Sequence, residues 1–277
     1  MTNKDILNFI NRHKKKQYNV VICAIAKNEN EYINEWVNHH INIGISHIFI
    51  YDNNDSTFED VLTRIDRKDK VTIIRYNDKH IQGMQRKLYE EFYHKYNHKF
   101  NWCGFLDIDE FLVGIDNVNK FFNQDKFKKY DQIRIKWKLF GDDDFIDRDR
   151  NIPVVEFFKK PILDNFKSDE AKCFIRGCVS NSLWHKTHYV ITKEGKLWKC
   201  CLPSGRPCNS KDWSIHEDYS NETVFINHYM TKTLKEFIEQ KSKRGDVVNS
   251  QRVIDLDYYW QINEKTPEKL EWIKNNL

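Results

Sequence analysis

Short apolar segments alternate with amphipathic helical segments through the first part of the chain, and this alternation limits the possible folds most strongly. Residues Asn19–Ala26 (NVVICAIA) are almost uninterruptedly apolar, which is typical of a strand covered on both faces. Apolar side chains then recur at the helical period over residues 29–43, and Gly44 is a natural stop. The pattern next predicts strands and helices in alternation at Ser46–Tyr51, Phe58–Ile65, Val71–Arg75, Gly83–Tyr96 and Trp102–Leu106.

Repeated strand–helix units predict an α/β fold with a mainly parallel central sheet and helices on both faces. In such sheets ligands bind beyond the carboxyl ends of the strands. Three polar clusters follow three predicted strands, at Lys27–Glu29, Asp52–Asp55 and Asp107–Asp109. We therefore expect these clusters to converge on one edge of the sheet and to form a ligand site there.

The Asp-x-Asp cluster carries the most specific chemistry of the three. Alternation along an extended chain points Asp107 and Asp109 to one side, with Ile108 facing the other way. Two carboxylates placed in this way bind a hard divalent cation, and Mg²⁺ or Mn²⁺ typically keeps coordination positions for diphosphate oxygens. The same residues also suit a strand that leads into a solvated acidic turn, so the interpretation depends on what surrounds them.

Several other polar residues have two interpretations each. Asp52 and Asn54 suit a ribose or a uracil edge, but Asn and Asp also serve ordinary turns. His228 follows a β-like run and is either a third metal ligand or a structural histidine. Lys232 is placed to meet a pyrophosphate, because neither a Gly-x-Gly-x-x-Gly fingerprint nor a P-loop is present to hold phosphates. Lys241 and Arg244 serve the same site or form the solvated face of a helix.

A second acidic loop, Asp142–Asp144, follows a predicted strand at Gln132–Phe140. One carboxylate among Asp142, Asp143 and Asp144 would suffice as a base for an acceptor hydroxyl, with Glu156 a weaker candidate. The alternative is a plain turn. Beyond this loop a strand is predicted at Pro153–Phe158, and helices are predicted at Leu234–Lys243 and Pro267–Leu277.

We interpret residues 1–277 as one domain with three parts. Residues 18–114 form a nucleotide-binding half, residues 115–245 an acceptor-shaping half, and residues 246–277 a helical tail. The net charge of +4, from 45 basic and 41 acidic residues, is too balanced to indicate a nucleic-acid partner.

The sequence also indicates how the protein relates to membranes and whether its cysteines are reduced. No apolar run reaches membrane-spanning length, and the N-terminus lacks the apolar segment of a secretory signal. Ile6, Leu7 and Ile10 with the basic run Arg12–Lys16 form either a peripheral membrane contact or a solvated helix. The 7 cysteines include no Cys-x-x-Cys pair and match no common zinc spacing, which disfavours structural zinc. An odd number of cysteines without a secretory signal favours reduced thiols, so we expect a cytoplasmic protein.

The ordered motifs resemble the family 92 glycosyltransferases and their bacterial family 2-like relatives. The matching segments are Ala26–Glu29, Glu35–His40, Gly44, Ile50–Ser56, Phe105–Phe111 and Ile226–Tyr229. The resemblance extends from about Val20 to Gly245 and includes Trp137, Phe140, Gly141, Lys172–Gly177, His185, Lys232, Phe237, Lys241 and Arg244.

This resemblance implies a GT-A fold, a UDP-sugar donor such as UDP-galactose, and a divalent cation, usually Mn²⁺. By analogy Asp107 and Asp109 would bridge the metal, diphosphate and ribose, and His228 would complete the metal site. The nucleotide-binding set would comprise Ala26, Lys27, Asn28, Glu29, Asp52, Asn54, Asp107 and Lys232. Animal members of the family are inverting enzymes that place galactose on glycans, which favours a single displacement onto a glycan or polysaccharide hydroxyl.

Two alternatives remain at this point. A carbohydrate- or nucleotide-binding module without catalysis would share the same layout, although the intact Asp107/Asp109 pair argues against it. A sugar nucleotidyltransferase would need a glycine-rich basic loop after the first strand. This chain has Lys27–Glu29 at that position instead, which argues against the second alternative.

Overall fold

A computed structural model describes residues 15–54, 61–77, 83–162, 170–179, 183–186, 189–192, 199–208, 219–244 and 255–277. The strands are Tyr18–Ala26 (β1), His47–Asp52 (β2), Val71–Arg75 (β3), Phe100–Phe105 (β4), Glu110–Val113 (β5), Gln132–Phe140 (β6), Ala171–Arg176 (β7), Leu183–Lys186 (β8), Tyr189–Thr192 (β9), Cys200–Cys201 (β10) and Phe225–Tyr229 (β11). The α-helices are Ile33–Asn42 (α1), Met84–Tyr96 (α2), Val118–Phe122 (α3), Val154–Phe157 (α4), Leu234–Glu236 (α5), Ser242–Arg244 (α6), Leu256–Trp260 (α7) and Pro267–Asn276 (α8). Short 3₁₀ turns cover Val61–Arg64, Lys68–Lys70 and Asp125–Phe127.

One mixed sheet organises the molecule, with strand order β3-β2-β1-β4-β7-β6-β11-β5 and β10 beside β6. The first four strands in this order are parallel, as the strand–helix alternation predicts. Strand β7 then enters antiparallel between β4 and β6, and β5 pairs antiparallel with β11. The sheet is therefore parallel on the nucleotide side and mixed on the other.

The apolar first strand lies at the centre of the fold because both of its faces are covered. Its residues Val20 and Ile22 pack in one core cluster with Trp36 of α1. Its residues Val21 and Cys23 pack in a second cluster with α2. This arrangement confirms the predicted α/β class, the mainly parallel sheet and the helices on both faces.

The predicted strand at Pro153–Phe158 is wrong. The segment contains the short helix α4, in which Glu156 and Phe157 donate backbone hydrogen bonds to the carbonyl of Pro153. Proline fixes a backbone torsion that suits the first turn of a helix, and this outweighed the strand propensity of the valines and phenylalanines. Of the helix predicted at Phe58–Ile65, residues 58–60 lie outside the described residues and Val61–Arg64 is a 3₁₀ turn.

The helix predicted at Leu234–Lys243 is present but is not a regular α-helix. A capping box closes its start, where Thr233 accepts a hydrogen bond from the Glu236 amide and Glu236 accepts one from the Thr233 amide. Residues Phe237–Lys241 then form a π-helical segment between α5 and α6. π-helical segments are rare in proteins, and those that do occur often lie at functional sites.

The C-terminal helices α7 and α8 pack against this irregular helix. Tyr258 and Tyr259 join Met230, Leu234 and Phe237 in one core cluster. Within the described ranges no helix is both long enough and apolar enough to cross a membrane. The N-terminal segment considered for membrane contact lies almost entirely in residues 1–14, outside the described part.

All seven cysteines are buried, and none forms a disulfide with another described residue. Burial raises the pKa of Cys173 to about 12, and the same cause raises the pKa of Cys201 to about 12. These thiols therefore act as small apolar core residues.

Candidate functional site

Asp107 lies in the loop between β4 and β5 and is held by two side chains from distant elements. Its Oδ1 accepts a hydrogen bond from Gln85 Nε2 at 2.7 Å, and its Oδ2 lies 2.7 Å from Lys172 Nζ. Lys172 is fully buried, and its ammonium also lies 3.4 Å from Glu110 Oε2. Burial lowers the pKa of Lys172, but the Asp107 and Glu110 carboxylates more than offset this and raise the pKa above the usual lysine value.

Asp109, two residues further on, faces a different set of partners. Its Oδ1 lies 3.5 Å from His228 Nε2, and its Oδ2 lies 2.9 Å from Lys241 Nζ. Burial alone would raise the pKa of Asp109, but the Lys241 ammonium and the His228 ring lower it well below its usual range. For His228 burial dominates over Asp109, so its pKa is lowered and the ring is neutral near pH 7.

The predicted metal ligands fit a divalent cation in part. Two ligand atoms about 2.1 Å from one cation lie about 3 Å apart when they take adjacent octahedral positions. The distance of 3.5 Å between Asp109 Oδ1 and His228 Nε2 is close to that spacing. The other ring nitrogen, His228 Nδ1, is a buried atom without a hydrogen-bond partner in the structure and lies 3.9 Å from Glu110 Oε1. Metal-bound histidines usually have a carboxylate on that side.

The third predicted ligand is not brought to the same point. Across the described ranges, no three Asp, Glu, His or Cys side chains already converge at metal-binding spacing. Asp107 is turned to Gln85 and Lys172 instead. A cation on Asp109 and His228 would thus recruit Asp107, water or substrate oxygens for its remaining positions.

Lys232 is the least satisfied charge in this region. The residue is 7% exposed, and its backbone is left-handed with φ of 57°. In the described part of the chain its ammonium makes no hydrogen bond or ion pair, and it lies over the Tyr32 ring at 4.3 Å from the centroid. Burial lowers its pKa, an effect that Asp109 opposes only in part. A buried ammonium in this setting either loses its proton more readily or is stabilised by an anionic ligand.

A cavity connects these groups to the first strand's carboxyl end. Asp109, Lys232 and Lys241 line it together with Asn28, Glu29, Tyr32, Thr231, Glu236 and Gln240. Asn28 also has a left-handed backbone, with φ of 56°, and its buried Oδ1 accepts no hydrogen bond from the described residues. The Lys232 ammonium and the Asn28 Oδ1 atom are therefore available to a ligand in the cavity.

One wall of the cavity is fixed by a buried ion pair. Arg148 Nε donates to Glu236 Oε1 at 3.0 Å, and the Tyr32 hydroxyl donates to the same oxygen at 2.9 Å. Both charged side chains are almost fully buried. Burial would raise the pKa of Glu236, but Arg148 and Lys232 lower it below the usual value, so the carboxylate stays ionised.

The remaining predicted nucleotide residues lie at neighbouring strand ends. Ala26 pairs in register with Asp52, and Asn54 Oδ1 accepts a hydrogen bond from the Asn28 amide at 2.7 Å. Asp52 is buried, and Arg75 Nη1 donates to its Oδ2 at 2.6 Å while the Asn54 amide donates to its Oδ1. Lys27 is half-buried beside these groups. The predicted convergence of the β1 and β2 ends is thus confirmed, while a nucleoside contact by Asp52 stays a prediction.

The second acidic loop has structural partners. Asp142 Oδ2 lies 2.6 Å from Lys269 Nζ and accepts a hydrogen bond from the Tyr259 hydroxyl, so it holds the C-terminal helices. Asp143 Oδ2 accepts hydrogen bonds from the amides of Lys159 and Lys160. The side chain of Asp144 is 60% exposed. These three residues do not line the cavity that contains Asp109, and their catalytic role stays a prediction.

Sequence reasoning did not find three residues that hold the site. Lys172, Gln85 and Tyr32 come from separate elements, and no local motif connects them with Asp107 or Lys232. One signal was available for Lys172, because a single lysine inside the apolar strand Ala171–Arg176 (AKCFIR) needs a buried counter-ion. The side chain of Arg244 lies outside the described residues.

Comparisons with known proteins bear on this geometry. A family model described as Glycosyltransferase family 92 matches residues 17–266. A family 92 protein of rice (Oryza sativa subsp. japonica) is 32% identical over 108 residues, which cover 37% of this chain and 18% of the rice protein. A family 92 protein of Ricinus communis is 30% identical over 106 residues, which cover 35% of this chain and 18% of that protein. The aligned segments thus span less than a fifth of either relative.

Among solved structures, one match is a crystal structure of the galactosyltransferase LgtC in complex with donor and acceptor sugar analogues. It is 12% identical, covers 44% of this chain and 46% of that chain, and has a TM-score of 0.26.

Proposed function

Because the chain belongs to glycosyltransferase family 92, we propose that it transfers a sugar from a UDP-sugar to a hydroxyl of a glycan or polysaccharide. The proposal places the donor diphosphate in the cavity beside Asp109 and Lys232, with Mn²⁺ or Mg²⁺ as the cofactor. The mainly parallel sheet, with this cavity at the strand ends, is the layout that a GT-A fold requires.

Lys232 is the observation that carries the proposal. Its ammonium is buried on a left-handed backbone without an ion pair to any described residue, which costs stability in the absence of an anion. A diphosphate would supply the missing charge and the hydrogen-bond acceptors. Strain and unsatisfied charge of this kind accumulate where they serve binding rather than folding.

Asp109 and His228 are the residues that would hold the divalent cation, and Asp107 lies two residues before Asp109 in the chain. When bound, the cation offsets charge that develops on the leaving nucleoside diphosphate. Lys232 contributes a second positive charge from the protein, already fixed in place before the reaction. Asn28 Oδ1 can accept a hydrogen bond from a donor hydroxyl or amide, which would orient the donor in the cavity.

An inverting single displacement needs a carboxylate that removes the acceptor proton. We keep the loop Asp142–Asp144 as the proposed source of this base. Within that loop Asp144 is the member with an exposed carboxylate, whereas Asp142 is committed to Lys269.

Donor hydrolysis tests the proposal without knowledge of the acceptor. Purified protein is incubated with a panel of sugar nucleotides and Mn²⁺, and the released nucleotide is identified. We expect nucleoside diphosphate from one UDP-sugar, less of it with EDTA, and almost none with Asp109→Asn. Release of pyrophosphate would instead indicate a nucleotidyltransferase, and nucleotide binding without any turnover would indicate a binding module.

A further inference from the structure

The Asp109 carboxylate already has a cation on one of its two oxygens. Lys241 Nζ lies 2.9 Å from Asp109 Oδ2, and it also donates a hydrogen bond to the carbonyl of Met230. The Asp109 side chain is 4% exposed and that of Lys241 13%, so water screens this pair poorly. The other carboxylate oxygen is the one that faces His228.

The backbone that carries Lys241 is unusual as well. Lys241 is the last residue of the π-helical segment Phe237–Lys241, immediately before α6. A π-helical turn closes an i→i+5 hydrogen bond in place of the i→i+4 bond of an α-helix, and such turns are frequent at functional sites. Lys241 lines the same cavity as Lys232, so both ammonium groups are placed beside the proposed donor site.

We propose that Lys241 competes with the divalent cation for Asp109. Lys241 then acts as an internal counter-ion that keeps the buried carboxylate neutralised until metal and donor enter together. The inference rests on the metal-binding part of the proposed function. It adds a role for Lys241, which is itself neither a metal ligand nor a donor ligand in that proposal. Lys241 is a positioning residue in this account, because it acts through the carboxylate.

Electrostatic repulsion predicts that the Lys241 charge weakens metal binding. A cation on Asp109 and His228 would share one carboxylate with the Lys241 ammonium, and like charges in a poorly solvated site repel. The Lys232 ammonium adds to that repulsion. A donor diphosphate brings negative charge that offsets all three cations, so metal affinity should rise when nucleotide is present. Removal of the Lys241 charge should have the same effect without nucleotide.

Mn²⁺ affinity of the full chain tests this directly. Free Mn²⁺ is measured by electron paramagnetic resonance, with no nucleotide, for wild type, Lys241→Met and Lys241→Gln. We expect Mn²⁺ to bind both variants at least about tenfold more tightly than wild type. Lys241→Gln keeps donors for Asp109 and the Met230 carbonyl, so it remains informative where the methionine variant does not fold.

The matched control is Lys235→Met. Lys235 is a partly exposed lysine of α5 that pairs with Asp147 at 2.8 Å, and its loss should leave Mn²⁺ affinity unchanged. Thermal unfolding supplies a second readout. In EDTA the Lys241→Gln protein should melt below wild type, because Asp109 has lost its counter-ion, and Mn²⁺ should raise its melting temperature more than that of wild type.

The outcomes separate this inference from the proposed function. Equal or weaker Mn²⁺ binding by both Lys241 variants, with wild type still binding, would overturn the competition and leave the transferase proposal intact. Absence of Mn²⁺ binding from wild type and variants alike, even with UDP, would overturn the metal site and the competition together. Tighter binding confined to the Lys241 variants would support the competition.

Discussion

The two acidic loops, Asp107–Asp109 and Asp142–Asp144, look alike in sequence but meet different environments. Both follow a strand, and both place aspartates at its carboxyl end. Asp109 meets His228 and Lys241 at the rim of a cavity. Asp142 meets Lys269, Tyr259 and the side chain of Asn263, which close it under the C-terminal helices.

The difference shows that the partners of a carboxylate decide its role. Near Asp109 the Lys232 ammonium makes no ion pair among the described residues. Near Asp142 the Lys269 ammonium, the Tyr259 hydroxyl and the Asn263 side chain all bond the loop or its neighbours. An unpaired buried charge favours ligand binding, whereas a satisfied network favours structural stability.

The largest expected effect is on activity at the first loop. Asp109→Asn keeps the shape of the side chain but removes the charge that holds a cation, so kcat/KM for donor hydrolysis should fall roughly 10³-fold or more. Asp109→Asn also removes the counter-ion of the largely buried Lys241 ammonium, so turnover is compared per folded molecule, well below the melting transition of the variant. Asp116→Asn, at an exposed aspartate, is the matched control. An Asp109→Asn protein with normal turnover would remove the distinction between the loops.

The second loop should respond in stability instead. Asp142→Asn removes the nearer of the two carboxylates that pair with the fully buried Lys269 and leaves only Asp144 at 3.6 Å, which should cost about 3 kcal/mol of unfolding free energy. Activity per folded molecule should stay within a few-fold of wild type. The double variant Asp142→Asn/Lys269→Met should recover part of the loss, because no buried charge remains. A collapse of kcat at unchanged stability would instead identify Asp142 as the predicted base.

Lys232→Met tests whether the Lys232 ammonium binds the donor diphosphate. The variant loses the ammonium offered to the diphosphate, so KM for the donor should rise about tenfold. Its unfolding free energy should stay level or increase, because an unpaired buried charge is removed. Donor affinity of wild type should also fall as the pH rises through the lowered pKa of Lys232, since only the charged form binds an anion.

A flat pH profile of donor KM in Lys232→Met would support the assignment to that lysine. The same pH dependence in wild type and variant would attribute it to another group. Lys243→Met, at an exposed lysine of α6, serves as the control for nonspecific loss of charge.

The smallest effect is expected where the two regions touch. Asn263 Oδ1 accepts a hydrogen bond from the Asp142 amide, and Asn263 Nδ2 donates to Thr231 Oγ1 at 3.1 Å, one residue before Lys232. Asn263→Ala should lower the unfolding free energy by about 1 kcal/mol and raise the donor KM a few-fold. Asn276→Ala, which removes an exposed hydrogen bond to Trp272, should change neither.

The sequence allowed the donor half of the fold to be predicted but not the contacts that complete the site. The β1 run was found because an almost uninterrupted apolar segment marks a strand covered on both faces, and Val71–Arg75 was predicted with its observed bounds. The approach of His228 to Asp109 was one of two interpretations of that histidine and was also implied by the family resemblance. The contact between Asp109 and Lys241 spans 132 residues, and that between Asp107 and Lys172 spans 65. No local pattern records such pairings.

The short helix at Val154–Phe157 illustrates a second limit. Its valines and phenylalanines favour a strand, and one proline at the start decided otherwise. The role of Asp142 was hidden for a related reason, because its partners Tyr259, Asn263 and Lys269 lie in the last part of the chain. An acidic loop therefore cannot be assigned to catalysis until its distant neighbours are known.

The central claim is that the cavity beside Asp109 and Lys232 binds a nucleoside diphosphate together with a divalent cation. Titration calorimetry of UDP into wild type and Asp109→Asn, each with Mn²⁺ and with EDTA, tests it most directly. We expect UDP to bind wild type with Mn²⁺, and to bind at least about tenfold more weakly when either the cation or the Asp109 carboxylate is removed. UDP binding that is equal in all four titrations, or absent from all four, would contradict the account.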